Sequence, residues 1–113
     1  MHELSIVLNI VDIAEEEVKK VHAQKVDAIE LEIGTQAGIE WEALEFSWST
    51  AVKYTVLSNA ERIVDKVQAI AKCTNCDGEF MVYEPFQPCP FCKSPFVTYL
   101  KGKELRIKSL VVS

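Results

Sequence analysis

The most informative part of this chain consists of two short segments, CTNC at residues 73–76 and CPFC at residues 89–92. A two-residue gap lets both thiolates of a pair bind one ion while the backbone turns over them and donates N–H groups to sulfur. Two such pairs complete a tetrahedral, all-sulfur site that suits zinc and leaves no open position for water or substrate. The spacing therefore predicts a structural zinc ribbon with four ligands: Cys73, Cys76, Cys89 and Cys92.

Three other chemistries also use clustered cysteines. They are a redox dithiol pair, an iron site with four thiolate ligands, and disulfide bonds, which a reducing compartment disfavours. For the metal site, Gly78 is expected to ease the turn at the first pair and Pro90 to stiffen the second. Four apolar side chains are expected to pack beneath the metal: Phe80, Val82, Tyr83 and Phe86.

The period of the apolar residues outside this segment predicts two helices and three strands. Apolar residues recur every three or four positions over 3–22 and 40–54, which is typical of amphipathic helices. They alternate with polar residues over 27–33, 61–71 and 104–112, which is typical of half-buried strands. In the first helix, the predicted buried stripe comprises Leu4, Val7, Leu8, Val11, Ala14, Val18 and Val21.

These elements predict an α+β fold, in which two helices pack on a three-stranded sheet and a four-cysteine zinc-ribbon minidomain is inserted. Residues 1–71 plus 103–113 would form the body, and residues 72–102 the minidomain. The pattern of the second strand slips near Asp65 and Lys66, where a bulge is expected. The pattern of the third strand breaks at Ser109.

Composition and charge exclude several function classes. The 113 residues carry a formal net charge of −5 with 12 Lys and Arg residues, a poor basis for neutralising nucleic-acid phosphates. No apolar run is long enough to span a bilayer, and the N-terminus lacks the basic region of a signal peptide, so a cytoplasmic location is expected. The sequence contains no Ser–His–Asp set, HExxH helix or Gly-rich phosphate loop, so we expect no enzyme activity.

The N-terminus offers a second metal-binding possibility. The α-amine, the His2 imidazole and a backbone amide could chelate an ion in the square-planar arrangement that nickel(II) and copper(II) favour. Glu3 would supply either its backbone nitrogen or its carboxylate. A histidine at position 2 is also compatible with a solvated terminal residue, and His22 is better explained as a cation near the end of the first helix.

Taken together, several segments resemble one family, the HypA/HybF-type hydrogenase-maturation nickel chaperones. They are MHELS at 1–5, LEIG at 31–34, EALEF at 42–46 and GKELRI at 102–107, in addition to the two cysteine pairs. The match runs from end to end and in order. It makes the N-terminal nickel site the leading hypothesis.

The resemblance implies a nickel metallochaperone with a separate structural zinc site. Nickel would be cargo, bound by the Met1 amine, the His2 side chain and Glu3, and delivered to the precursor of the [NiFe]-hydrogenase large subunit together with a partner GTPase. In some organisms urease is also a client. Asp77 and Lys93 follow the two cysteine pairs, where some relatives carry a histidine, so coupling between zinc and nickel through such a residue is not expected.

The alternative function is a zinc-ribbon interaction module without nickel transfer. Such a module in the transcription or RNA machinery would present a basic, aromatic surface, which the net charge argues against. We expect neither nucleic-acid nor membrane partners. Exchange of a strand edge or of the zinc minidomain would permit a homodimer.

Overall fold

The structure is a computed structural model that describes residues 2–113. It contains two helices and six strands, in chain order α1 (Glu3–Lys20), β1 (Val26–Gly34), α2 (Trp41–Ala51), β2 (Glu61–Val67), β3 (Ile70–Cys73), β4 (Glu79–Met81), β5 (Val97–Lys101) and β6 (Leu105–Val112). One sheet has the order β2-β1-β6 and the other the order β4-β3-β5. The predicted α+β fold with an inserted cysteine segment is confirmed.

The chain divides into two compact units. One consists of residues 2–31, Ile39–Val64 and Ile107–Ser113, and the other of Glu32–Gly38 and Asp65–Arg106. All four cysteines lie in the second unit. The division into a nickel-binding body and a zinc-binding minidomain stays a prediction.

Strand β1 shows the predicted alternation between a buried and a wet face. Ile29, Leu31 and Ile33 are almost fully buried. Glu30 and Glu32 alternate with them and are partly exposed. Because successive strand side chains point to opposite faces, this pattern gives the strand one apolar and one charged side.

Helix α1 is present as predicted, but its buried stripe is rotated. Val7 lies near the centre of the buried arc, which also includes Ile10, and the predicted stripe members Leu4 and Leu8 are about half exposed. At about 100° per residue, Leu4 and Leu8 lie about 60° and about 100° from Val7, both on the same side. Val21 follows the last helical residue and is also exposed. Within residues 2–113, no helix combines the length and apolar character needed to cross a bilayer.

The segment predicted as one strand over residues 61–71 is two strands in two sheets. Strand β2 ends at Val67 and β3 begins at Ile70. Between them, Gln68 donates its side-chain N–H to the carbonyl of Val82 at 3.0 Å. The alternation of β2 breaks at Val64 and Asp65, which are both partly buried, and a separate register irregularity lies between Ile70 and Ala71. The change of sheet after Val67 is a further feature, which periodicity cannot show, and the bulge near Asp65 and Lys66 stays a prediction.

The remaining elements bury some of their side chains and expose others. Leu44 and Trp48 of α2 are buried. In β2, however, Ile63 is exposed, and Arg62 is partly buried in its place. The break in the alternation of β6 at Ser109 is confirmed, since Ser109 and the residue before it are both exposed.

Two glycines permit a close backbone contact within the second unit. A Cβ atom on Gly34 would lie 2.0 Å from the carbonyl carbon and oxygen of Gly102. Gly102 itself has φ +111°, in the region that side chains rarely adopt. The contact is fixed by main-chain hydrogen bonds, because the N–H of Gly34 donates to the Glu104 carbonyl at 2.8 Å and that of Gln36 to the Gly102 carbonyl at 2.8 Å.

Candidate metal centre

The four cysteine sulfurs converge on one point. Their Sγ atoms all lie within 4.8 Å of one another. The closest contacts join the two pairs, with Cys73 and Cys92 at 3.5 Å and Cys76 and Cys89 at 3.6 Å. Cys73 and Cys89 are fully buried, whereas Cys76 and Cys92 are exposed. In the part of the chain that the structure describes, this is the one cluster of three or more candidate metal ligands.

Both cysteine pairs are built on the same turn. In the first, the Asp77 N–H donates to the Cys73 carbonyl at 3.0 Å. In the second, the Lys93 N–H donates to the Cys89 carbonyl at 2.9 Å. Asp77 and Lys93 have φ values of 62° and 67°, so each turn is completed by a non-glycine residue in the left-handed region. Gly78 is therefore not the residue that eases the first turn, contrary to the prediction.

Gly78 is needed for a different reason, a close contact between the two pairs. A Cβ atom at this position would lie 2.6 Å from the ring of Phe91 and 3.4 Å from the sulfur of Cys76. The ring of Phe91, which is 66% exposed, thus covers the first turn from the second pair. The absence of a side chain at Gly78 is what allows this.

Main-chain N–H groups point at the buried sulfurs, as the spacing predicts. Asn75 donates its backbone N–H to Cys73 Sγ at 3.4 Å, and Cys76 does the same at 3.5 Å. The Phe91 N–H donates to Cys89 Sγ at 3.4 Å. Such donors stabilise the thiolate form of cysteine, which is the form that binds metals.

The exposed cysteines differ in their tendency to ionise. Hydrogen bonds from the Ser94 N–H and from the Asn75 side chain lower the pKa of Cys92 to about 6. The Gly78 N–H lowers the pKa of Cys76, but burial and the three neighbouring thiols together raise it to about 12. Four thiolates this close repel one another, so the protons are shared unequally among them. A bound cation would relieve this repulsion and displace the remaining protons.

The donor set fits zinc. Tetrahedral coordination with Zn–S bonds of about 2.3 Å separates the sulfurs by about 3.8 Å, and the contacts of 3.5 and 3.6 Å are close to this value. Four sulfur donors leave no position for water, so a zinc ion held here would be structural. The geometry brings together all four of the ligands expected from the spacing.

The core beside the sulfurs is smaller than predicted. Phe80 and Val82 are buried with the two inner cysteines. Tyr83 and Phe86 are exposed, Phe86 at 98%, so the prediction that they pack beneath the metal is wrong. Both follow the end of β4, where the chain leaves the sheet and the alternation of faces no longer applies.

Two of the predicted N-terminal nickel ligands, His2 and Glu3, lie at the start of α1. Met1 lies outside the described residues. His2 is exposed and precedes the helix, with its carbonyl accepting the Ile6 N–H at 3.2 Å. The Glu3 side chain is 9% exposed and accepts a hydrogen bond from the Glu40 N–H at 3.0 Å, which lowers the pKa of its carboxyl group. Of the two Glu3 donors considered, the carboxylate is therefore already engaged at the start of α2.

Comparison with known proteins gives one family over the whole chain. Residues 1–112 match the family described as "Hydrogenase/urease nickel incorporation, metallochaperone, hypA". The chain belongs to the HypA family. The resemblance inferred from the sequence segments is thus confirmed.

Individual members of the HypA family match over nearly their full length. The hydrogenase maturation factor HypA of Parabacteroides distasonis is 42% identical over 112 residues, which are 99% of this chain and 97% of the relative. That of Geobacter metallireducens is 37% identical, with 99% of both chains covered. The solution structure of the Ni metallochaperone HypA from Helicobacter pylori superimposes with a TM-score of 0.69 at 24% identity, covering 99% of this chain and 97% of that one. This structure shows the shared fold.

Two contacts of the HypA-family chain were not found from the sequence. One is the hydrogen bond between Glu3 and Glu40, which joins residues 37 positions apart. The other is the side-chain amide of Asn75, whose Nδ2 atom lies 3.6 Å from Cys92 Sγ. The spacing of the cysteines predicts which residues could bind a metal but carries no information on such neighbouring donors.

Proposed function

We propose that this protein is a cytoplasmic nickel metallochaperone that delivers Ni(II) to the precursor of the [NiFe]-hydrogenase large subunit. The observation that carries the proposal is the end-to-end match to a nickel-incorporation family, with relatives named hydrogenase maturation factors. The family description also names urease, which is the second client to test. Nickel is cargo here, so the protein acts as a carrier instead of an enzyme.

The cargo site that we propose consists of the Met1 amine, the His2 imidazole and the Glu3 backbone nitrogen. His2 is exposed at the start of α1, where a partner can reach it. The Glu3 carboxylate is engaged with Glu40, which supports the backbone nitrogen as the donor of Glu3. Fused rings of nitrogen donors suit the square-planar geometry of Ni(II).

Release from such a site is by exchange of ligands inside a complex with a partner. We propose two partners, a GTPase of hydrogenase maturation and the large-subunit precursor. Because protons compete with the metal for nitrogen donors, nickel affinity should fall as the pH is lowered. No covalent step is required.

The second ion that we propose is structural zinc, held by Cys73, Cys76, Cys89 and Cys92. The sulfur contacts and the N–H donors around them support this assignment. When bound, zinc supplies cross-linking of the two turns and no reactive position. The two ions would therefore have separate roles.

The test is to measure both metals in two matched histidine variants. His2→Ala should abolish tight nickel binding in equilibrium dialysis with metal analysis, while one zinc per chain is retained. His22→Ala is the matched control, because His22 is also exposed but follows the other end of α1, about 30 Å away along the helix axis. It should bind nickel as the unaltered protein does.

Two outcomes would contradict the proposal. If His2→Ala binds nickel with unchanged affinity, the N-terminal site is wrong. If the unaltered protein holds zinc but binds no nickel, the chain is better explained as a zinc-ribbon interaction module. Blocking the α-amine by acetylation gives an independent check, since it should remove nickel binding without affecting zinc.

A further inference from the structure

Asn75 contacts sulfur atoms from both cysteine pairs. Its backbone N–H donates to Cys73 Sγ at 3.4 Å. Its side-chain Nδ2 donates to Cys92 Sγ at 3.6 Å. These two sulfurs are themselves 3.5 Å apart, so one residue of the first pair connects to the second pair through its side chain.

The equivalent residue of the second pair makes the backbone contact to sulfur but not the side-chain contact. Phe91 stands between Cys89 and Cys92 as Asn75 stands between Cys73 and Cys76. Its backbone N–H donates to Cys89 Sγ at 3.4 Å, which repeats the contact of Asn75. Its side chain is a ring that lies against Gly78 and has no N–H to donate. The two turns therefore differ in what surrounds their outer sulfurs.

This difference falls on the two cysteines that reagents can reach. Cys76 and Cys92 are the exposed members of the pairs. Each receives a backbone N–H, Cys76 from Gly78 and Cys92 from Ser94, and Cys92 receives in addition the side-chain amide of Asn75. An N–H donor withdraws electron density from a thiolate, which makes the sulfur a weaker nucleophile and holds it in place on a metal.

We propose that Asn75 is a positioning residue of the metal centre, which keeps Cys92 bound and protects its sulfur from attack. The inference rests on the structural zinc site of the proposed function. Because the amide links the turn of the first pair to a ligand of the second, it resists separation of the two halves. Loss of the amide should therefore accelerate metal release and raise the reactivity of Cys92 relative to that of Cys76.

The test compares the zinc-loaded full chain with its Asn75→Ala variant. Neighbouring hydrogen-bond partners of metal ligands typically change metal affinity by about 10–100-fold. We expect transfer of zinc to a chromogenic chelator to become about tenfold faster in the variant. With limiting iodoacetamide, where the thiolate sulfur displaces iodide from carbon, the ratio of Cys92 to Cys76 alkylation should rise, as measured by peptide mass spectrometry.

Two further variants separate this role from a general loosening of the turn. Thr74→Ala removes a hydrogen bond of the same turn, the 2.9 Å contact from the Thr74 hydroxyl to the Phe96 carbonyl, which does not involve sulfur. It should leave the alkylation ratio unchanged. Asn75→Gln keeps an amide and should restore at least part of the slow zinc release. In cobalt-substituted protein, Asn75→Ala should also move the sulfur-to-cobalt charge-transfer band to lower energy.

The outcomes distinguish this inference from the proposed function. If the unaltered chain retains one zinc and Asn75→Ala leaves both the release rate and the alkylation ratio unchanged, only the role of Asn75 is refuted. The same conclusion follows if Thr74→Ala changes the ratio equally. If Asn75→Ala binds no zinc, near-normal release from Asn75→Gln supports the inference, and failure of both variants to bind zinc refutes it. An unaltered chain without zinc would overturn the structural zinc site as well.

Discussion

Removal of the metal should unfold strands β3, β4 and β5 while the two helices persist. The core beside the sulfurs is small. Apart from the two buried cysteines, its buried members are Ala69, Ala71, Phe80 and Val82. A core of this size gives the segment little stability of its own, so the bound ion has to supply most of it.

The magnitudes support this expectation. Full burial of Phe80 and Val82 contributes about 1.5–3 kcal/mol each, and the two alanine methyl groups about 0.8 kcal/mol each, for a total of about 5–8 kcal/mol. A structural zinc ion contributes about 10–16 kcal/mol of apparent binding energy at neutral pH. The binding energy of zinc is therefore larger than the contribution of this apolar core.

The assay is an amide correlation spectrum of ¹⁵N-labelled protein before and after dialysis against a strong zinc chelator. Amide signals from β3, β4 and β5 should collapse to random-coil positions. Signals from α1 and α2 should keep their dispersion and their protection from hydrogen exchange. Addition of zinc should restore the original spectrum, which controls for irreversible damage by the chelator.

One result would contradict the expectation that these strands need the metal. If the amides of β3 and β4 remain protected in protein shown by metal analysis to contain no zinc, the apolar core suffices without a metal. The ribbon would then be an independently stable element. A Cys89→Ser variant provides a second test, because it removes one buried ligand without any chelator.

Two further predictions concern contacts away from the sulfurs. Because the Glu40 N–H lowers the pKa of Glu3 below its usual 4.5, the carboxylate stabilises the fold above that value and less as the pH falls through the lowered folded pKa. Glu3→Gln should therefore lower the urea midpoint at about pH 7 and have a progressively smaller effect as the pH falls below 4.5, and a difference independent of pH would contradict this. Gly34→Ala should cost about 3 kcal/mol or more in thermal unfolding, because its Cβ would meet the Gly102 backbone at 2.0 Å. Gly78→Ala should cost less, since its nearest neighbour is the movable ring of Phe91, and equal costs would argue against a rigid contact at Gly34.

Local pattern predicted most of the elements of this fold. The alternation around Ile29 and the stripe around Val11 each depend on residues close in sequence, so they can be identified without tertiary information. The predictions failed at positions whose burial depends on the neighbouring elements. Leu4 and Leu8 are apolar and in helical phase, yet exposed, because the position of the buried arc depends on what the helix packs against.

The spacing along the chain was sufficient to predict the four candidate metal ligands of this protein. Their spacing is a local property, since a two-residue gap is sufficient to place both sulfurs of a pair on one side of a turn. Membership of the HypA family could likewise be inferred from short segments that occur in the same order along the chain.

The surroundings of those cysteines depend instead on how distant parts of the chain fold together. The amide of Asn75 reaches Cys92 across 17 positions of the chain, and the Glu40 N–H reaches Glu3 across 37. A hydrogen bond forms only within about 3–4 Å, and the separation of two distant residues depends on how the intervening chain folds. For that reason the four cysteines could be recognised from their spacing, whereas their hydrogen-bond partners could be identified only in the folded structure.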